Sequence, residues 1–448
     1  MDPDLKIKNA RIYTPDGLYP GALIIKDGVI VRIGKNSTLP DGRETLDAKE
    51  RLLIPGMIDV HVHLRDMNQS YKEDFYSGTC AAAAGGVTSV LDMPNNKIPI
   101  TTPSGLRRKM KEARQKIITN VGFYSALPKS IGDLQTLIKT GAVAFKIYLP
   151  NPIGEIDVYD DGQLSSVFRE ISKLNTIVAF HPEERSSTSL KPDPYHSEIQ
   201  EFLTSHKDEL EKSAILRFIR INNEIGAKLH MCHMSSQGSL QAIHTTKSKN
   251  SRITCEVTPH HLFLTEKALS QWKGFAKMLP PLRTKSDAEY LWANVVNDGL
   301  IDIVASDHAP HAIEEKRDFT SAPSGIPGLE TTLPLLLTQV LAGRLSMKRL
   351  VELTSENPAR IFNLGKKGRI AEGYDADLTL IDTKSETCID AEMFLSKAKF
   401  SPFSGWKIHA IPMTTIVGGR IVMRDREIVA LPGSGNVISS ETPQGDAV

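Results

Sequence analysis

Two histidines separated by one residue, His61 and His63, sit in the apolar run Ile58-Asp59-Val60-His61-Val62-His63-Leu64-Arg65. Alternate side chains of an extended strand share a face, so both imidazoles can reach one metal ion. Arg65 continues the alternation and adds a cation. A metal-binding pair beside a guanidinium points to hydrolysis of an anionic substrate. Taken alone, a His-x-His pair is better explained as a hydrogen-bonded polar cluster. Four later segments shift the balance: Phe145-Lys146-Ile147, Phe180-His181, Cys232-His233 and Ser306-Asp307-His308. Each follows or ends a short apolar run, and each offers a group that can bind a metal directly or after modification.

If these segments end neighbouring strands of one closed sheet, the chemistry follows. His61, His63 and Asp307 supply two neutral imidazoles and a carboxylate, a donor set suited to zinc. His181 and His233 can hold a second ion. Lys146 lies between the two sets. Its neutral amine can take up carbon dioxide to give a carbamate with two anionic oxygens, and nearby cations and desolvation favour the neutral amine. The competing reading of Lys146 is a snorkelling lysine or a substrate counter-ion. Two zinc ions bridged by carboxylated Lys146 and a hydroxide would attack an amide carbonyl, with Asp307 as general base and then acid, or as ligand only. Arg65 can fork a substrate carboxylate, or form a structural ion pair. Asn95 can add an amide donor, or serve only as a turn residue. His311 can donate to the same carboxylate. His230 is expected on the opposite face from His233, His260 and His261 near the pocket, and His196, His206, His244 and His409 on the surface.

The elements that must position these groups are legible as alternating strands and helices. Strand candidates are 53–64, 87–93, 118–125, 143–149, 176–181, 228–233, 253–258 and 301–306, with helical segments such as 72–84, 104–116 and 287–297 between them. Eight such strands indicate an α/β chain with a TIM-like (β/α)8 barrel, whose catalytic groups come from the C-terminal ends of several strands. A doubly wound sheet is the alternative. Strand-like runs at both ends of the chain suggest a small composite β-sandwich domain from residues 1–52 and 366–432, around a barrel of 53–365. Residues 433–448, rich in Gly, Ser and Pro, are expected to form a flexible tail, and 150–161 and 308–327 to form loops over the barrel mouth. The net charge of +1 in 448 residues gives no signature of nucleic-acid or membrane binding. The four cysteines are far apart and fit free buried thiols. With no signal peptide and no transmembrane run read from the sequence, a cytoplasmic location is expected.

Four motifs carry a family resemblance. His61-Val62-His63-Leu64-Arg65, Gly85-Gly86-Val87-Thr88 with Met93-Pro94-Asn95, Glu256-Val257-Thr258-Pro259-His260-His261 and Ser306-Asp307-His308-Ala309-Pro310-His311 resemble the dihydroorotases of the amidohydrolase superfamily. The similarity runs from about residue 5 to residue 425 and includes Asn357-Pro358-Ala359. The resemblance implies reversible cyclisation of N-carbamoyl-L-aspartate to L-dihydroorotate and water in pyrimidine synthesis. It implies a first zinc on His61, His63, carboxylated Lys146 and Asp307, and a second on Lys146, His181 and His233. It also implies a carboxylate site of Arg65, Asn95 and His311, and Asp307 as acid/base. Relatives include homo-oligomers and enzymes associated with aspartate transcarbamoylase. Two positions depart from the pattern: Met67-Asn68 replaces Pro-Gly, and Leu279 replaces the Asn of Asn-Pro-Pro-Leu-Arg. An allantoinase or a hydantoinase/dihydropyrimidinase is the alternative reading. A non-catalytic scaffold homologue is a third, set against the retention of all six candidate ligands.

Overall fold

A computed structural model describes residues 3–185, 197–247, 252–297 and 299–440. Its centre is an eight-stranded parallel sheet. The strands are β1 (Met57–Val62), β2 (Val87–Asp92), β3 (Asn120–Ala126), β4 (Ala142–Tyr148), β5 (Ile177–His181), β6 (Lys228–Met231), β7 (Ile253–Val257) and β8 (Ile303–Val304). They pair in sequence order. A parallel bridge between Val62 and His308, and the His63 N–H donating to the His308 carbonyl at 2.8 Å, bring β1 and β8 together. The expected barrel is therefore the fold.

Strand faces explain the packing. Outward residues such as Val90, Phe123, Phe145 and Phe180 are buried under helices, among them Pro103–Arg114 and Asp161–Leu174. Inward residues Val60, Leu91, Tyr124, Val143 and Ala179 pack with Phe362 into a second apolar cluster that fills the barrel below its mouth. The candidate site residues His61, Lys146, His181 and Asp307 lie near the C-terminal ends of their strands, where barrels carry their chemistry. Helix Phe75–Ala84 starts at Asp74, whose side chain accepts from the Ser77 N–H at 2.8 Å. Its Cys80–Ala83 face is buried.

Among the described residues the two terminal regions form one nine-stranded sheet. Leu52–Pro55 lies between Leu5–Thr14, which it pairs with in parallel, and Leu378–Asp382, which it pairs with antiparallel. Leu5, Ile7, Ile12, Leu53, Leu378, Leu380 and Ile416 share its apolar cluster. Strands Gly17–Lys26 and Val29–Gly34 are joined at Asp27-Gly28, both left-handed (φ 50° and 80°), a turn suited to the twist of a hairpin.

Three expectations need correction. The single strand read over 53–64 is two strands in two sheets, divided at Pro55-Gly56. A side chain at Gly56 would collide with that of Thr88, so only glycine allows this close crossing. Part of the expected flexible tail is docked. The Gly433 and Gly435 N–H groups donate to the Ile117 carbonyl at 3.1 and 2.9 Å, and Asn436 and Ile438 pair with Val121. Composition marked this stretch as loop-like, but its backbone pairs with the exposed flank of β3. Cys80, Cys232 and Cys255 are buried free thiols, whereas Cys388 is exposed. Among the described residues no helix is long and apolar enough to cross a membrane.

Candidate active site

A cavity of about 270 Å³ opens at the C-terminal ends of the strands. His61, His63, Arg65, Asn95, His181, His233, Asp307 and His311 all line it. Lys146 lies just beneath, at the end of β4. Its Nζ donates to the Cys232 thiol at 2.9 Å and stands 4.9 Å from the Tyr148 ring centre, and Tyr148 is on the cavity wall. All nine candidate residues are therefore assembled in one place.

The first cluster is built on β1 and β8. Asp307 Oδ1 is 3.3 Å from His61 Nε2 and 3.2 Å from His63 Nε2. The opposite ring nitrogens are held from behind. His61 Nδ1 is 2.5 Å from Glu256 Oε1, and His63 Nδ1 is 2.7 Å from Asn95 Oδ1. Each imidazole thus carries its proton on Nδ1 and turns an Nε2 lone pair toward the same point. Burial keeps both rings neutral: the pKa of His61 is lowered, and that of His63 falls well below the ordinary value with Arg65 adding to the effect. Burial also raises the Asp307 carboxyl, against the pull of His61 and Lys146.

His233 joins this cluster to a second. Its ring centre is 5.3 Å from that of His61 and 4.5 Å from that of His181. Among the described residues its buried Nδ1 has no hydrogen-bond partner, and burial together with His181 and Lys146 keeps the ring neutral. His181 Nε2 is 3.2 Å from Glu183 Oε2, and the other Glu183 oxygen receives His206 Nδ1. Although burial opposes ionisation, these two imidazoles hold the Glu183 carboxyl at about 2.

A metal fits this donor set. Neutral imidazoles aimed at one carboxylate and an orphaned buried nitrogen are costly arrangements unless a cation completes them. Among the described residues two groups of three have convergent ligand atoms: His61, His63 and Asp307, and His61, Cys232 and Glu256. The first is the better site. In the second, Glu256 already serves His61 and His230, and burial pushes the Cys232 thiol up, away from the thiolate that binds metal.

The other wall is cationic. Arg65 is left-handed (φ 57°), and its Nε donates to the Pro310 carbonyl at 3.3 Å. Its Nη2 is 3.2 Å from His311 Nε2. The carbonyl end of Asn95 is taken by His63, which leaves its amide N–H₂, the donor expected of it, for the cavity. Leu279 and Met278 give the cavity an apolar patch. His308 turns away, its Nδ1 accepting from the Gly328 N–H at 3.1 Å.

Sequence reasoning missed several groups. Glu256 was legible only as a motif residue, although it bridges His61 and His230 (Nε2 to Oε2, 3.0 Å). His230 therefore faces the barrel interior, not the opposite side. β6 ends at Met231 and His233 is left-handed (φ 38°), so strand alternation does not extend to it. His206, expected on the surface, is drawn in by Glu183. The Glu at i+2 from His181 was the available signal. His261, expected near the pocket, bonds to the Pro280 carbonyl at 3.0 Å and braces the Leu279 segment. His196 lies outside the described residues.

A parallel barrel with imidazoles and a carboxylate converging at its mouth defines a class of hydrolases built for metal-assisted attack. The chain belongs to the amidohydrolase family, whose model matches residues 52–422. It is 37% identical to the dihydroorotase of Methanosarcina mazei, over 98% of each chain. It is 36% identical to the dihydroorotase of Bacillus cytotoxicus, over 93% of this chain and 97% of that one. Among solved structures it resembles the L-hydantoinase (dihydropyrimidinase) of Arthrobacter aurescens, with a TM-score of 0.89, 30% identity and coverage of 98% and 100%. The D-hydantoinase (dihydropyrimidinase) of a Thermus species gives a TM-score of 0.86 at 28% identity, covering 98% of this chain and 99% of that one.

Proposed function

We propose that the protein is a dihydroorotase, catalysing the reversible cyclisation of N-carbamoyl-L-aspartate to L-dihydroorotate and water. The observation that carries this reading is the half-buried Arg65 guanidinium, with His311 at 3.2 Å, on the wall of the same cavity as the Asp307 cluster. A ring amide bearing a carboxylate would span the two. End-to-end similarity to dihydroorotases of archaea and bacteria supports the same substrate.

In this reading His61, His63, Asp307 and carboxylated Lys146 hold one zinc ion, and Lys146, His181 and His233 hold the other. When bound, such ions polarise the amide carbonyl and lower the pKa of water to near neutrality. The chain's own groups do the rest. Arg65, His311 and the Asn95 amide grip the carboxylate and set the ring against the histidine cluster. Asp307 takes the proton of the attacking water and delivers it to the ring nitrogen as the amide opens. In the cyclisation direction it reverses both transfers. Ring opening creates a carboxylate and releases a proton, so hydrolysis gains as pH rises and cyclisation as it falls.

A hydantoinase-type activity is the second reading, favoured by the hydantoinase structures and by the apolar Met278–Leu279 wall. Hydrolysis of L-dihydroorotate by zinc-loaded protein, beside allantoin, hydantoin and dihydrouracil, decides between them. Turnover of dihydroorotate is expected, with Arg65→Met raising KM roughly 10- to 100-fold through loss of a charge-assisted contact. Turnover of uncharged rings alone, insensitive to Arg65→Met, would move the protein to the second reading.

A further inference from the structure

The carboxylate side of the cavity contains a cation that has no part in the chemistry described so far. Lys72 is buried behind His311 and does not line the cavity. Its Nζ is 3.1 Å from His311 Nδ1 and 3.0 Å from Glu315 Oε1. Glu315 is fixed in turn by the Tyr71 hydroxyl at 3.0 Å and the Ala312 N–H at 3.2 Å. The far nitrogen of the ring, Nε2, is 3.1 Å from the Ser324 carbonyl and 3.2 Å from Arg65 Nη2. Ser324 and Arg65 both line the cavity, so Nε2 is the nitrogen that faces it.

The neighbours select one tautomer. Ammonium and guanidinium groups only donate, and a carbonyl only accepts. With the proton on Nε2, Nδ1 accepts from Lys72 and Nε2–H donates to Ser324, leaving one donor–donor contact with Arg65. With the proton on Nδ1, that N–H confronts the Lys72 ammonium and the Nε2 lone pair confronts the Ser324 carbonyl. The return is only a bond from Arg65 and a 3.4 Å approach to Glu315 Oε2. A doubly protonated ring is opposed by burial and by Arg65, Lys72 and Lys316.

We propose that Lys72 is a positioning residue: by occupying Nδ1 it holds His311 as the Nε2–H tautomer, so that the nitrogen facing the cavity offers its proton, shared with the Ser324 carbonyl, to the substrate carboxylate beside Arg65. The identity of that carboxylate rests on the proposed dihydroorotate reaction. Lys72 makes no contact with substrate itself.

The test compares zinc-loaded, full-length Lys72→Met and Lys72→Gln in dihydroorotate hydrolysis. Met removes the donor to Nδ1, whereas Gln keeps an amide N–H and drops the charge. Lys72→Met is expected to raise KM roughly 10- to 100-fold with kcat within a few-fold of wild type, and Lys72→Gln to recover most of that loss. Zinc content per chain should not change. A wild-type KM in Lys72→Met, an equal loss in both variants, or a fall in zinc content would overturn the proposal. Long-range ¹H–¹⁵N spectra of histidine-labelled wild-type protein read the tautomer without any variant having to fold, with His311 assigned by its absence from His311→Asn. A proton on Nε2 supports the proposal and one on Nδ1 overturns it. Failure of the functional reading is distinguishable, because the wild-type protein would then not turn over dihydroorotate at all.

Discussion

Lys146 and Glu256 support the candidate metal site from below in different ways. Lys146 is buried with a thiol as its hydrogen-bond partner, and a carbamate there would give both clusters a shared anion. Lys146→Ala is expected to lose the metal facing His181 and His233 and nearly all turnover, with partial rescue by added short carboxylic acids. Zinc analysis and turnover check this together, and full activity in the variant would refute the bridge. Glu256 lies between two imidazoles, and although burial opposes its ionisation, His61 and His230 keep it well below the ordinary carboxylate range. Its function is to keep the His61 proton on Nδ1. Glu256→Gln is expected to weaken metal affinity about 10- to 100-fold, measured by competition with a chromophoric chelator. An unchanged affinity would reduce Glu256 to packing.

At the scale of elements, the strands were legible because apolar runs end in polar, chemically capable residues, and that pattern depends only on local sequence. The turns that aim those residues were not. Arg65, His233 and Asp307 all adopt left-handed backbone, an unfavourable state for residues other than glycine and one that sites tend to store. Nothing in their residue types announces it. Nor could sequence reveal Glu256 behind His61, 195 positions away. Helix Asp208–Asn222 contributes a similar hidden group. Glu211 is fully buried, near Ser235 and 3.7 Å from Arg283 Nη2. Burial raises its carboxyl from 4.5 to about 7, against the pull of Arg283 and Ser235. Between those values the folded chain keeps a proton that the unfolded chain releases, so this group makes stability decline as pH rises through the window. Glu211→Gln should remove that decline. In thermal melts at fixed zinc, its midpoint should gain on wild type from about pH 5 to about pH 7.5, and parallel pH profiles would refute the assignment.

Across the whole molecule, the barrel is tied to both chain ends. Residues 433–438 donate and accept along Ile117–Val121, and Ile438 packs against the apolar plug of the barrel. A chain ending at residue 432 is therefore expected to be less stable than one ending at 440, by roughly 2–4 kcal/mol from a few backbone hydrogen bonds and one partly buried side chain. Equal denaturation midpoints for the two would show that the docked segment contributes nothing.

The strand that precedes β1 has a consequence in time. Leu52–Pro55 passes directly into the strand that carries His61, yet its antiparallel neighbour is Leu378–Asp382. A ribosome adding about 5–20 residues per second delivers that neighbour tens of seconds later, roughly three hundred residues downstream. Throughout that interval the emerging chain has an open, apolar strand edge next to its candidate metal-binding histidines, which is a template for mispairing. That edge has to stay unpaired until its partner arrives, a demand that the finished molecule, with the edge covered, no longer displays.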